Sequence, residues 1–334
     1  MSRIYVLKPG MMTTVQDLGR SGWQRHGVTR GGAADVWALR LANLLVGNPE
    51  GAAGLEITGS GPALQFAERA LVAITGADFE VSIAGNRIPP WRPVWLHEGA
   101  ELVMGAARSG CRGYIGVAGG LAVPRVLGGR GTHLAAGFGG FEGRVLRAGD
   151  MLKIGPESAW AKRLSLALAG GPAFVAARWE VGAAVRPKHT AAPVVRVIRG
   201  PQWDWFDAEA QARLLGERFT VDPRSDRMGL RLNATGAGLL TSPLPEMVSE
   251  GVATGAVQVP PDGQPIVLLA DRQTVGGYPK IAVVASVDLP LLAQLRAGDT
   301  VGFTEVSIAE AQEVYLASER LLATVKQGIA LHVT

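Results

Sequence analysis

The sequence predicts a mainly β fold, two related barrel units in one chain with a few peripheral helices, and three observations lead there. Short apolar runs rich in β-branched residues recur along most of the chain. The 45 glycines and 20 prolines punctuate those runs, and short strands between tight turns hide their edges best by closing on themselves. The pentapeptide LRAGD occurs twice, at Leu146–Asp150 and Leu295–Asp299, each time followed by an alternating strand pattern. A paired glycine and a proline precede each copy (Gly119-Gly120…Pro124 and Gly276-Gly277…Pro279). Further upstream lies Gly-Pro ahead of a phenylalanine (Gly61-Pro62…Phe66 and Gly200-Pro201…Phe206). Shared landmarks in one order argue for duplication.

In chain order, strands are expected over Arg3–Leu7, Leu71–Thr75, Phe79–Ile83, Glu101–Met104 and Gly113–Val117 in the first unit. The second unit has Val194–Arg199, Gly229–Leu232, Ala256–Val259, Ile266–Ala270 and Ile281–Ser286. Helices are expected from Ala33 to Leu45, with Asp35 as its cap, and from Asp207 to Leu215. A third is expected from Ser307 to Val325, opened by a Ser307…Glu310 capping box, closed at Gly328 and packed on the second barrel. The division falls in Ala-rich, weakly patterned sequence between Pro156 and Pro193, giving units at 1–160 and 190–334. Trp91, Trp95, Trp203 and Trp205 are expected to plug the barrels or meet a partner.

Composition narrows the function. The 334 residues are 47% hydrophobic and 19% charged, an ordinary globular balance. The net charge of +4 is scattered singly, without the clustered Lys/Arg that nucleic acid requires. No apolar stretch approaches the ~20 residues of a membrane span, and MSRIYVLKPG has no apolar signal core, so a cytoplasmic protein is expected. Cys111 is the single cysteine and the five histidines lie far apart, so no metal site is expected.

The densest chemistry lies in Gln258–Ile281, QVPPDGQPIVLLADRQTVGGYPKI. A buried strand is flanked there by Gln258 on one side and by Asp271, Arg272 and Thr274 on the other. Gly276-Gly277 then allow a sharp turn or close ligand approach, and Tyr278 and Lys280 bracket Pro279. Lys280 is the candidate electrophile, Asp271 a base or orienting partner, and Tyr278 completes the catalytic set. Gln258, Arg272, Thr274, Gly276 and Gly277 are candidate substrate contacts. The bland alternative is a hairpin with a solvated loop. Arg224–Gly229 adds Ser225, Asp226 and Arg227; otherwise it is a surface turn whose Arg–Asp pair contributes under ~1 kcal/mol. Two glycine-rich loops, Gly128–Thr132 and Gly137–Arg144, carry Arg130 and Arg144 as anion-binding candidates against a reading as plain turns. Neither loop fits a Walker or dinucleotide pattern. In the first unit, Gln16, Asp17, Arg20 and His26 are polar groups near glycine pairs.

The segments Thr14–Asn48, Arg224–Leu232, SEGVATGAVQVPPDGQPIVLLADRQTVGGYPKI and the closing LRAGD resemble the AHS2, or carboxyltransferase subdomain A/B, family, in order over nearly the whole chain. Its members include subunits of bacterial ATP-dependent 5-oxoprolinases, the carboxyltransferase half of urea carboxylase and an antagonist of a sporulation kinase inhibitor. The resemblance implies cyclophilin-like barrels and opening of 5-oxo-L-proline, a small cyclic amide, to L-glutamate. It also implies ATP with magnesium, shared with an AHS1-type partner and a third oxoprolinase subunit. The alternatives it leaves are carboxyl transfer from carboxybiotin to urea and non-catalytic binding of a kinase inhibitor. The chain has no Met-Lys-Met motif, so no covalent biotin is expected on it. It departs from the family pattern at Gly128-Gly-Arg-Gly-Thr132, two hydroxyls short of Gly-Ser-Arg-Ser-Thr, and at Val275, where a second threonine is common.

Overall fold

The computed structural model describes residues 2–171, 173–234, 238–240 and 244–332. The chain divides into two compact units, Met1–Arg20 with Gly31–Lys188 and Arg320–Thr334, and Ser21–Arg30 with His189–Glu319. The fold is mainly β.

In the first unit two long antiparallel strands, Ala70–Ile83 and Glu101–Val117, form the spine of a ten-stranded sheet. Each reads in sequence as two short strands. The breaks are irregularities of register between Gly76 and Val81, and a small, polar, mostly solvent-facing stretch over 105–112. Gly76 takes φ +87°, and a Cβ there would lie 2.4 Å from the Arg112 carbonyl oxygen; only glycine fits such a bulge. The helix Val36–Leu45 starts three residues after the expected Ala33, and its cap is the expected one, with Asp35 Oδ1 accepting from the Ala38 amide at 2.9 Å. It lies so close to the sheet that a Cβ on Gly116 would come within 2.6 Å of the Ala42 carbonyl oxygen.

The Ala-rich segment expected to be a plain linker instead holds the helix Ala159–Leu168 and the strand Phe174–Ala176, which pairs with Pro93–Leu96. Alanine favours helix, and Ser158 accepts from the Ala161 amide to cap it. The last helix, Ile308–Leu331, has its capping box, since the Ser307 amide donates to Glu310 and the Glu310 amide to Ser307 Oγ. It runs through Gly328 rather than stopping there. Its buried residues Leu322 and Ile329, one face seven residues apart, join Leu41, Leu71, Trp91 and Trp95 in the first unit's core. The expectation that this helix packs on the second barrel is thereby corrected. Trp203 is buried, whereas Trp205 is exposed.

The second unit is a closed barrel of seven strands. In barrel order these are Val194–Arg199, Lys280–Val284, Ala256–Gln258, Ile266–Leu268, Gly229–Asn233, Arg218–Val221 and Thr300–Glu305. Neighbours run antiparallel except at the closure, where Thr300–Glu305 pairs parallel with Val194–Arg199. Alternate side chains such as Val195, Val197, Phe219, Val221, Val301 and Phe303 fill the interior, as the period of two requires. The LRAGD copies make the same turn in both units. Asp150 Oδ2 accepts from the Arg147 amide at 2.7 Å and Asp299 Oδ2 from the Arg296 amide at 2.8 Å. Gly149 and Gly298 take φ +89° and +88°. The glycine pairs differ: Gly119 and Gly120 have positive φ, while Gly276 lies in the short strand Val275–Gly276.

Candidate functional site

The strand Ile266–Leu268 ends two residues before the predicted point because the chain then bonds to the 227–228 loop. The Leu269 amide donates to the Met228 carbonyl and the Asp271 amide to that of Arg227, both at 2.9 Å. This brings Asp271 against Arg227, whose Nε and Nη2 donate to its two carboxylate oxygens at 2.8 and 3.1 Å. Both side chains are buried, at 5% and 7% exposure, so the solvated-turn reading fails here. Both oxygens of Asp271 are thus engaged by Arg227. Asp226 and Ser225 are spent locally: Asp226 Oδ1 accepts from the Met228 and Gly229 amides, and Ser225 Oγ from the Arg231 amide. Their neighbour Arg224 pairs with Asp222, whose carboxyl it holds below the usual range.

Arg272 is buried and meets neutral acceptors: Nε donates to the Val252 carbonyl and Nη2 to Gln24 Oε1, both at 3.2 Å. Its Nη1 has no hydrogen-bond partner among the described residues. Burial, and then the nearby Arg30 charge, lower its pKa. Gln24 Nε2 donates to the carbonyls of Val252 and Thr274, at 3.0 and 3.3 Å, which fixes the Thr274 backbone.

Lys280 opens the strand Lys280–Val284 opposite Gln258 and is only 4% exposed. Its ammonium pairs with Glu250, and its amide donates to Gln202 Oε1 at 3.0 Å. Gln258 is fully enclosed; its Oε1 accepts from Gln273 Nε2 at 3.1 Å, and its Nε2 donates to the Tyr278 carbonyl at 3.4 Å. A Cβ on Gly276 would come within 2.7 Å of Gln258 Nε2. Close packing therefore calls for glycine at 276, where the sequence suggested a turn.

Two cavities meet at Tyr278. One, of about 380 Å³, has a polar lining that includes Gln258, Gln273, Asp226, Arg224 and Asn233. The other, of about 590 Å³, is walled by Leu240, Leu244, Met247, Gly277 and Pro279. Gln258, Tyr278, Gly277 and Asp226 thus line cavities. Asp271, Arg272, Arg227, Thr274, Gly276, Ser225 and Lys280 line neither.

The two anion-binding candidates of the first unit both make internal contacts. Arg144 is committed to Asp150, at 2.7 and 2.9 Å, and to Glu142, which raise its pKa. Within Gly128–Thr132 the Arg130 and Gly131 amides are turned on an internal anion. Asp17 Oδ1 accepts from Gly19 at 2.8 Å and Gly131 at 3.1 Å, and Oδ2 from Arg130 at 2.5 Å. The Arg130 side chain donates to the Val123 carbonyl. Sequence reasoning missed Gln24, Arg30, Gln202, Glu250 and Gln273. Gln273 lay inside the dense 258–281 segment, Gln24 and Arg30 in Thr14–Asn48 and Glu250 in the segment opening SEGVATG, so only Gln202 carried no signal. No group of three or more His, Cys, Asp or Glu among the described residues is placed to hold a metal. Among those residues no helix is long and apolar enough to cross a membrane.

Residues 26–305 match the family profile described as carboxyltransferase domain, subdomain A and B. The chain is 38% identical to the C subunit of 5-oxoprolinase from Escherichia coli, covering 92% of each sequence. It is 36% identical to the corresponding protein of Haemophilus influenzae, over 97% of this chain and 98% of the relative. The crystal structure of the Kluyveromyces lactis urea carboxylase superposes on 98% of this chain with a TM-score of 0.85 and 28% identity, but the chain spans only 29% of that enzyme.

Proposed function

The chain belongs to the carboxyltransferase subdomain A and B family, and from that premise we propose that it is the C-type subunit of an ATP-dependent 5-oxoprolinase. With an AHS1-type partner and a third subunit it opens 5-oxo-L-proline to L-glutamate in the cytoplasm. The observation that carries this reading is the identity of 38% and 36% with two bacterial C subunits over more than nine-tenths of each sequence. The yeast carboxylase matches at a lower identity, 28%.

An unstrained lactam resists hydrolysis, so its carbonyl must be activated and the negative charge that develops must be stabilised. Gln258 and Gln273 line the polar cavity, and in this proposal their amides, bonded to one another in the free protein, exchange that bond for the donor and acceptor of a lactam. Arg272, whose Nη1 has no hydrogen-bond partner among the described residues, and Lys280 are the buried cations this proposal assigns to stabilising that charge. Arg227 and Asp271 hold the loop carrying Arg272 in place. Tyr278 lines both cavities and offers its hydroxyl to a bound substrate in this proposal.

ATP and magnesium do not fit the glycine loops of this chain: Arg130 and Gly131 turn their amides on Asp17, and the Gly140, Gly143 and Arg144 amides are bonded to backbone carbonyls. In this proposal they are held mainly by the partner subunits, and no step here runs through them.

Co-purification with both partners, followed by ATP-dependent glutamate release from 5-oxoproline, tests the reading. Lys280→Ala should abolish release while leaving the complex assembled. A folded, assembled complex that releases no glutamate would sink the proposal. The likeness to urea carboxylase supports a second reading, carboxyl transfer from carboxybiotin carried on another protein to urea. Carboxylated urea formed by the same complex would establish it.

A further inference from the structure

The Lys280–Glu250 pair is lopsided. Lys280 is 4% exposed, whereas the Glu250 side chain is 47% exposed. A buried ammonium costs several kcal/mol unless an anion accompanies it, so some carboxylate must stand before it. Glu250 is bound lightly for that task. It sits on the two-residue strand Glu250–Gly251, which pairs only with Val275–Gly276 and lies outside the barrel. Its remaining described tie is Gln202 Nε2, at 3.3 Å from the oxygen that Lys280 contacts. Gln202 is itself anchored by the Lys280 amide, so it would stay in place without Glu250. Beyond Glu250, the ammonium makes no hydrogen bond to the described residues, leaving N–H donors unspent.

We infer that Glu250 is an exchangeable counter-ion, occupying an anion slot before Lys280 that the carboxylate of the substrate takes over. Replacing one carboxylate by another keeps the ammonium paired throughout, so the exchange avoids the cost of an unpaired buried charge. A neutral amide cannot make that exchange. Glu250 thereby selects amides that bear a carboxylate over uncharged ones, and it acts as a specificity-determining residue through Lys280. The choice of 5-oxoproline as occupant rests on the proposed function; the anion slot itself does not.

Lysine side-chain NMR on the full chain, which has six lysines by sequence, tests the exchange without turnover. Acetate and 5-oxoproline should each shift the Lys280 resonance saturably, and 2-pyrrolidinone, the same ring without its carboxylate, should not. Glu250→Gln removes the competing charge and should tighten both anions by about tenfold, the scale of a close charge pair. Glu250→Ala serves as the second variant should the glutamine amide itself fill the slot, and Lys280→Met should abolish the response. Unchanged or weaker anion binding in both Glu250 variants would overturn the inference. So would a neutral lactam acting as strongly as 5-oxoproline. If anions exchange as expected but the assembled complex releases no glutamate, the hydrolase reading fails and the slot stands.

Discussion

Removing Arg227 takes away the guanidinium that engages both oxygens of the buried Asp271 carboxylate. Arg227→Ala should therefore cost about 3–5 kcal/mol in denaturant unfolding, the usual scale for breaking a buried pair. Arg224→Ala, at an exposed guanidinium two residues past Asp222, should leave the midpoint close to wild type. Asp150 makes a pH prediction. The Arg144 guanidinium first, then the Arg147 amide, hold its carboxyl below the ordinary value. The unfolded chain then takes up the proton first, so this stabilisation is present above pH ~4 and is lost as the pH falls from there through the folded-state value. Asp150→Asn should flatten that part of the acid limb in a stability-versus-pH series. At this scale the sequence identified side chains well and their partners poorly. It placed Asp271 and Arg227 in the same candidate set but could not show that each satisfies the other, because burial and pairing are properties of the fold.

At the scale of elements, the first unit depends on how closely the helix Val36–Leu45 approaches the strand Glu101–Val117. Gly116→Val would drive a side chain into the Ala42 carbonyl and should destabilise by about 1–3 kcal/mol, the range for overpacking. Gly105→Ala is the control, since its added Cβ would meet nothing nearer than 3.5 Å; it should unfold like the wild type. Most strands and three helices were legible because their periods of two and 3.6 are written in apolar residues. The long strands were read as fragments, since the solvent-facing stretch over 105–112 carries no apolar alternation. The helix Ala159–Leu168 was missed although its Ser158 cap and alanines were visible.

At the scale of the whole molecule, the barrel closes through the parallel pairing of Thr300–Glu305 with Val194–Arg199, and Phe303 packs on Phe219 with ring centres 5.6 Å apart. Phe219→Ala should cost about 3–5 kcal/mol, as large aromatic deletions in a packed core do, measured by denaturant unfolding. Within the proposed function, the chain alone should release no glutamate, and omission of either partner should abolish release by the other two; glutamate formed by this chain alone would contradict the proposed division of labour. The candidate site gathers residues remote in sequence: Gln24 reaches Arg272 across 248 positions, and Gln202 reaches Lys280 across 78.

What the sequence determined by itself is local: the mainly β class, the Asp35 and Ser307 caps, and the LRAGD turn made twice by the same aspartate-to-amide bond. Each is settled within a few residues, where backbone preference and a single hydrogen bond decide the outcome. The tertiary structure alone decided which charges are spent and which are held ready. It turned the Arg130 and Gly131 amides onto Asp17, folded residues 21–30 into the second unit, and set an exposed glutamate before a buried lysine. Those outcomes depend on long-range packing and on the exclusion of water, and no neighbouring residue encodes either.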